Sequence, residues 1–281
     1  MTVRTALEQG TRLLEDARTA APRLTAEVLL CHALQRERPY LYAHPEEELT
    51  PLVQLHYGRY LHERLHGKPT QYITSRQEFF GRPFRVSQAV LIPRPETEHV
   101  VETALRLARG AKRVLDVGCG SGAIAVTLAL EMPRARVFAS DISPEALRVA
   151  AENAAGNRAP VHLVECDLCA AFASRSLDLV VSNPPYVPEG DRQSLQAEVR
   201  DYEPSVALYG GPTGVEIYGR LIPEAARVLE PGGWLIMELG YRSLEAVRAM
   251  LDTRWQDIEE TADLAGIPRV LAARLGPLAA G

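Results

Sequence analysis

From Arg113 onward, short apolar runs alternate with longer stretches in which apolar positions recur at helical spacing. RVLDVG reads as a strand, AIAVTLALEM as a helix, RVFASD as a strand and PEALRVAAENAA as a helix. VHLVECD and LDLVVSN follow as strands, then the helix VEIYGRLIPEAARVLE, the strand GGWLIMELG and the helix SLEAVRAML. Near-continuous apolar strands between amphipathic helices predict a mostly parallel sheet covered on both faces. The tail, WQDIEETADLAGIPRVLAARL, reads as two strands joined by a loop, which predicts an antiparallel end to that sheet.

The chain before this point has a different rhythm. Up to about Gly67 it reads as several short helices. Thr25 is expected to cap a helix through AEVLLCHALQ. Thr50-Pro51 is a second start signal, with proline at the first helical position, before LVQLHYGRYLHERLHG. Gly67, followed by Lys68-Pro69, is expected to end that helix. Between residues 71 and 90, YIT, EFF and FRV predict a pair of strands around a turn at Gly81-Arg82-Pro83. The segment LIPRPETE and a helix, HVVETALRLARG, lead into the alternating region. The predicted organisation is an all-helical domain over residues 1–70, a β-hairpin linker over 71–90 and an α/β domain over 91–281.

Composition narrows the class without changing this division. Of 281 residues, 46% are hydrophobic and 24% charged, the balance of a soluble globular protein with a buried core. A net charge of −5 argues against the basic face of a duplex-binding protein. The four cysteines are scattered, the first residues lack a signal-peptide core, and no apolar run is long enough to span a bilayer, so a cytoplasmic protein is expected. Cys166-Asp167-Leu168-Cys169 lacks the second pair a structural zinc site needs, and His62 and His66 lack a third ligand, so no metal is expected. Tyr57, Tyr60 and Leu61 read as packing. The basic residues within 76–85 are interleaved with acids and form no nucleic-acid patch.

The first strand of the alternating region ends in a glycine loop, Gly118-Cys119-Gly120-Ser121-Gly122, that opens a helix. Ligands of doubly wound sheets sit beyond the carboxyl ends of strands, and glycine there lets a ligand approach the backbone. The Gly-x-Gly-x-Gly spacing lacks the longer last gap of the dinucleotide fingerprint. Asp116, just before the loop, suits a cationic amino-acid-type ligand better than a phosphate. Asp141 ends the second strand about twenty residues on, where an acid grips ribose hydroxyls in this architecture. It also stands where a helix cap is needed, a role Ser143 can share. Asp167 ends the third strand, within reach of an adenine amino group. Each feature alone has a structural reading, as a turn or a cap. The three in register resemble a class I S-adenosylmethionine-dependent methyltransferase, which implies an α/β, Rossmann-like seven-stranded sheet with S-adenosyl-L-methionine as co-substrate.

The fourth strand runs into Asn183-Pro184-Pro185-Tyr186. An amide nitrogen is a poor nucleophile, because its lone pair is delocalised into the carbonyl, and methyl transfer needs that lone pair aimed along the S–CH3 axis. The Asn183 side-chain oxygen and the Pro184 carbonyl can each accept a hydrogen bond from a substrate NH2, orienting it and favouring the positive charge it develops. The prolines stiffen the loop. Tyr186 offers a flat face to a planar group. The loop suits any planar amino group, amide or nucleobase. An adenine or cytosine amino methyltransferase is therefore the competing reading, but it needs a target-recognition region and a basic track, and neither is evident.

Nearly the whole chain resembles the HemK/PrmC family of protein-(glutamine-N5) methyltransferases. The resemblance is carried by PTQYITSRQEFFGRPFRV, VLIPRPETEHVVE, VLDVGCGSGAIAVTLA, DISPEALRVAAENA, LVVSNPPYVPE, EVRDYEPSVALYGGPTGVEIYGRLIPEA and DLAGIPRV. LIPRPETE points to the release-factor branch rather than the ribosomal-protein branch. Membership implies a helical substrate-recognition domain and, as substrate, the Gly-Gly-Gln glutamine of class I peptide chain release factors, in support of translation termination. It implies that Gly118, Cys119, Gly120, Ser121, Gly122 and Asp141 bind S-adenosylmethionine, with Asp167 and Leu168 beside the adenine and Asn183 facing both ligands. Asn183, Pro184, Pro185 and Tyr186 would bind the glutamine, with residues 94–97 lining the site. A monomer is expected, with no membrane and no stable nucleic-acid partner. Two positions depart from the family pattern. Ser75 stands where glycine is common, and Leu168 where some members carry an aromatic ring.

Overall fold

The computed structural model describes residues 1–277, and the chain divides into two compact units. The smaller comprises Met1–Arg76 and Gln196–Tyr202. It holds helices α1 (Val3–Asp16), α2 (Pro22–Leu34), α3 (Arg38–Ala43), α4 (Pro51–Leu65) and α5 (Thr70–Thr74), with a short helix supplied by the second segment. Thr50 caps α4 as expected, its hydroxyl accepting from the Val53 amide at 3.3 Å. Thr25 does not cap: α2 already begins at Pro22, and the Thr25 hydroxyl donates back to the Ala20 carbonyl. Leu14, Leu29, Leu30 and Tyr57 are buried in its core. Glu27 is buried with them, and hydrogen bonds from Tyr42, Arg38 and Arg23 outweigh its desolvation and hold its carboxyl below the usual range. Arg64 pairs with Glu198 at 2.8 Å, and the Tyr202 hydroxyl donates to the His66 carbonyl, fixing the second segment to α4 and the residues after it.

The YIT reading needs correction, because Tyr72, Ile73 and Thr74 lie in α5. Burial of Tyr72 and Ile73, together with the Thr74 hydroxyl bonded to the Thr70 carbonyl, overrides the β propensity of the tripeptide. Ser75 follows with φ +55°, so the departure from glycine falls on a left-handed helix cap. The hairpin is shorter than the pattern implied: β1 (Arg76–Phe79) pairs with β2 (Arg82–Arg85), and the turn is Phe80-Gly81.

The larger unit continues with α6 (Glu98–Leu107), β3 (Arg113–Val117), α7 (Ala123–Glu131), β4 (Arg136–Asp141), α8 (Pro144–Gly156), β5 (Val161–Glu165), β6 (Leu177–Ser182) and β7 (Val187–Pro188). After α9 (Ala197–Tyr202), the helix lent to the smaller unit, come α10 (Ser205–Leu208), β8 (Tyr209–Gly211), α11 (Glu216–Val228), β9 (Leu229–Glu238), α12 (Leu244–Arg248), β10 (Trp255–Ala262) and β11 (Pro268–Leu275). Seven strands form the main sheet in the order β10-β11-β9-β6-β3-β4-β5. The strands from β9 to β5 run parallel, and β11 pairs antiparallel with both β9 and β10, as the tail pattern predicts. One core cluster, with Val114, Ile124, Val126 and Val137, covers one face; Leu115, Tyr218, Leu221 and Leu235 belong to the cluster on the other. The register does the most for function. Val117 pairs with Ser140 and with Ser182, and Ser182 pairs with Met237, so the loops leaving β3, β4, β6 and β9 emerge in one row.

Candidate active site

Beyond the carboxyl ends of these strands lies a cavity of about 230 Å³. The strand order reverses there, because β4 and β6 leave opposite sides of β3. Gly118, Cys119, Gly120, Ser121, Asp141, Asp167, Leu168, Asn183 and Pro185 all line it. A Cβ built on Gly118 or Gly120 would meet no protein atom within 4 Å, so the bare backbone faces open space that a ligand can occupy. The Asp141 carboxylate is held by the Gly120 and Ser143 amides, both at 2.9 Å, which leaves lone pairs on both oxygens for hydroxyl groups. The Ser143 side chain caps α8 at the Ala146 amide, so carboxylate and cap coexist. Asp167 pairs with Arg220 at 2.5 Å, and both line the cavity half-exposed. An adenosine with an amino-acid tail fits this set: glycine backbone, a carboxylate with acceptor positions left over, a second carboxylate and apolar walls from Leu168 and Ile217.

Four sequence expectations change in detail. Gly122 does not line the cavity. A Cβ there would lie 3.1 Å from the Ala150 Cβ, so this glycine lets α7 pack against α8. Asp116 does not face the cavity either. It is 1% exposed and accepts from the Ala125 amide at 3.0 Å, capping α7 from beneath. Burial pushes its carboxyl up to about 7, against the Ala125 bond and with a further push from Asp141. Pro184 is buried and Tyr186 turns away, so of the Asn-Pro-Pro-Tyr loop only Asn183 and Pro185 reach the cavity wall. Within residues 94–97, Thr97 lines the cavity, whereas Arg94 is engaged by Glu203.

The loop after β6 is gripped from several sides. The Asn183 side-chain NH2 donates to the Thr97 hydroxyl at 3.1 Å, and the Tyr186 hydroxyl donates to Glu238 at 3.2 Å. A Cβ on Gly210 would lie 2.4 Å from the Pro185 carbonyl oxygen, and one on Gly214 would lie 2.4 Å from that of Tyr186. The ring of Tyr186 rests against Gly240, where a Cβ would come within 3.0 Å. Glu203, 5% exposed, accepts from the Ile92 amide and from Arg94, and so ties the LIPRPETE segment to the chain beyond the loop. Glu238 is a residue the pattern reading missed. The available signal was an acid at the end of an otherwise apolar central strand, LIMELG.

The four cysteines are unbridged; Cys119 and Cys166 line the cavity and Cys169 is buried. Among the described residues no group of acidic, histidine or cysteine side chains could hold a metal ion, and no helix is long and apolar enough to cross a membrane.

Residues 98–199 match the family described as Methyltransferase small domain, and residues 5–74 match PrmC N-terminal domain. A release factor glutamine methyltransferase of Koribacter versatilis is 48% identical over 277 residues, 98% of this chain and 99% of its own. One from Geobacter sulfurreducens is 41% identical, with 98% and 97% covered. Among solved structures, a methyltransferase from Pyrococcus furiosus superimposes with a TM-score of 0.55 at 20% identity, covering 71% of this chain and 91% of that one. The larger unit thus has the class I methyltransferase fold, with its seven-stranded sheet and antiparallel end.

Proposed function

The chain belongs to the release factor glutamine methyltransferase family, and on that premise we propose that it methylates the side-chain nitrogen of the Gly-Gly-Gln glutamine in class I peptide chain release factors. The observation that carries this reading is the Asn183 amide. Its NH2 is committed to Thr97, which leaves its oxygen as an acceptor at the wall of the cavity. That oxygen takes one hydrogen of the glutamine NH2, and the backbone carbonyl of Pro184 takes the other where the glutamine enters beside the cavity, since Pro184 itself does not line it; together they hold the plane of the amide.

S-adenosyl-L-methionine, bound along the glycine loop, supplies an electrophilic methyl group on a sulfonium. The chain's own part is to orient and to stabilise charge. Gly118, Cys119, Gly120 and Ser121 shape the backbone cradle, Asp141 takes the ribose hydroxyls, and Asp167 with Leu168 flanks the base. Two fixed acceptors point the nitrogen lone pair and become stronger partners as positive charge grows on that nitrogen, so they favour the transition state over the ground state. No base is needed before transfer, because the proton is acidic once the nitrogen carries the methyl. Tyr186, its hydroxyl on Glu238, supports the loop from behind. The helical residues 1–70 are the recognition domain in this reading, the segment 71–90, which carries the hairpin of β1 and β2, connects it to the catalytic residues that follow, and the enzyme acts as a cytoplasmic monomer in translation termination.

The test is transfer of labelled methyl to purified release factor. Label is expected on the Gly-Gly-Gln glutamine and absent when that glutamine is replaced. Absence of transfer to an intact factor sinks the assignment, and tight retention on DNA at moderate salt with transfer to a nucleobase would support the competing amino methyltransferase.

A further inference from the structure

Glu238 ends β9 directly beside the loop, because Ser182 pairs with Met237 in the sheet. It is 2% exposed. Its Oε2 accepts the Thr97 hydroxyl at 2.5 Å and its Oε1 accepts the Tyr186 hydroxyl at 3.2 Å. The Thr97 oxygen in turn accepts the Asn183 NH2 at 3.1 Å. A hydroxyl has one proton to give. Since Thr97 gives it to Glu238, Thr97 can meet Asn183 only as an acceptor. The Asn183 amide must then turn its NH2 to Thr97 and its oxygen away.

We propose that Glu238 is a positioning residue that acts through Thr97 to set the polarity of the Asn183 amide, so that an acceptor and not a donor meets the substrate NH2. The inference deepens the glutamine-methylation reading and rests on it. The relay reverses with the charge on Glu238. With Glu238 ionised, both hydroxyls donate to it and the relay runs as described. With Glu238 protonated on Oε2, that proton goes to the Thr97 oxygen. The Thr97 hydrogen is then free to bond the Asn183 oxygen, and the amide flips. A donor now faces a donor, and the glutamine nitrogen loses one of its two holds.

The groups around Glu238 place this switch in an accessible range. Burial is the largest influence and raises the carboxyl, the bonds from Thr97 and Tyr186 lower it, Glu96 before α6 raises it and Arg269 on β11 lowers it; the outcome is about 7. Arg269 is itself paired with Asp263 at 2.8 Å. From α11, the fully buried Tyr218 donates its hydroxyl to the Glu238 backbone carbonyl at 2.8 Å and anchors the strand end. Tyr186 and Tyr218 are both raised, chiefly by burial, so neither gives up its proton near neutral pH.

The experiment measures kcat and KM for methyl transfer to release factor from mildly acid to mildly alkaline pH, with the full chain and the variants Glu238→Gln, Thr97→Val and Thr97→Ser. Thermal melting and S-adenosylmethionine binding are measured alongside. For the native chain, kcat is expected to rise with pH through an apparent pKa near 7. Thr97→Val is expected to lower kcat by roughly ten- to a hundredfold, with cofactor affinity little changed and the acid limb gone; Glu238→Gln, whose carboxamide oxygen still accepts from Thr97 but which cannot titrate, is expected to lose the acid limb. Thr97→Ser, which keeps the hydroxyl, should restore most of the turnover and the acid limb. The inference is overturned if Thr97→Val works like the native chain at every pH, if Glu238→Gln or Thr97→Val keeps the acid limb, or if Thr97→Ser is as impaired as Thr97→Val. A native chain that methylates while these variants fail to differ refutes the relay alone; a native chain that transfers nothing refutes the underlying function.

Discussion

Replacing Gly210 by alanine adds one methyl group at a residue outside the cavity lining, yet the structure gives it a large effect. The new Cβ would sit 2.4 Å from the Pro185 carbonyl oxygen, 2.9 Å from the Gly214 oxygen and 3.1 Å from the Pro185 carbonyl carbon. All three are backbone atoms, so no side chain can swing aside. Ordinary contact begins near 3.4 Å, so β8 and the loop must separate by about 1 Å. Gly210 does not have positive φ, so alanine is allowed by the backbone there and the effect is one of space alone. Overpacking of this kind costs about 1–3 kcal/mol of stability. A displacement of about 1 Å in a positioning loop costs about a hundredfold in rate. Turnover on release factor should therefore fall by roughly two orders of magnitude, while melting shows a folded protein of modestly lower stability. The control is Gly190→Ala, in the turn Glu189–Ser194, where a Cβ meets nothing within 4 Å. It should leave both measurements unchanged. Turnover of Gly210→Ala within twofold of the native chain, at equal melting temperature, would falsify the claim that this glycine sets the loop.

Asn183→Ala should keep S-adenosylmethionine binding, measured by calorimetry, while kcat drops about a hundredfold or more, as when one charge-stabilising partner is removed elsewhere; a larger loss of binding than of turnover would contradict its assigned role. Asp116 bears on stability. Its folded pKa of about 7 lies above the usual 3.8, so unfolding releases a proton between those values and stability falls as pH rises through that window. At about 1.4 kcal/mol per pKa unit, Asp116→Asn should visibly flatten the decline seen in urea titrations at successive pH values, leaving the smaller slope from Glu238; equal slopes would exclude the effect. Ser75→Gly should stabilise the protein by roughly 0.5–1 kcal/mol, because φ +55° strains a side chain that glycine lacks; a lower melting temperature would count against that account.

Much of the architecture was legible because the patterns involved are local. The apolar strand runs, the helical spacing and the Thr50-Pro51 cap each involve residues a few positions apart. The misreadings have the same origin in reverse. YIT carries β-forming residues, but burial of Tyr72 and Ile73 makes it a helix. Thr25 looks like a cap only while Pro22 is not seen to open the helix earlier. Asp116 has the right place in the chain for a ligand-facing acid, yet its side chain points under α7, because successive residues of a strand face opposite sides of the sheet.

The fold class, the glycine loop, the two carboxylates that line the cavity and the Asn-Pro-Pro-Tyr loop at the end of its strand were all readable along the chain. These depend on spacing along one chain segment. Which of those residues meet was set by the packing of the sheet. The parallel register of β3, β4, β6 and β9 brings Gly118, Asp141, Asn183 and Glu238 into one row from widely separated stretches of chain. The proton chain from Asn183 through Thr97 to Glu238, and the glycines that clamp the loop, have no sequence signature of their own. A hydrogen bond needs its two partners within about 3 Å, and only the packed sheet brings residues so far apart in sequence to that distance.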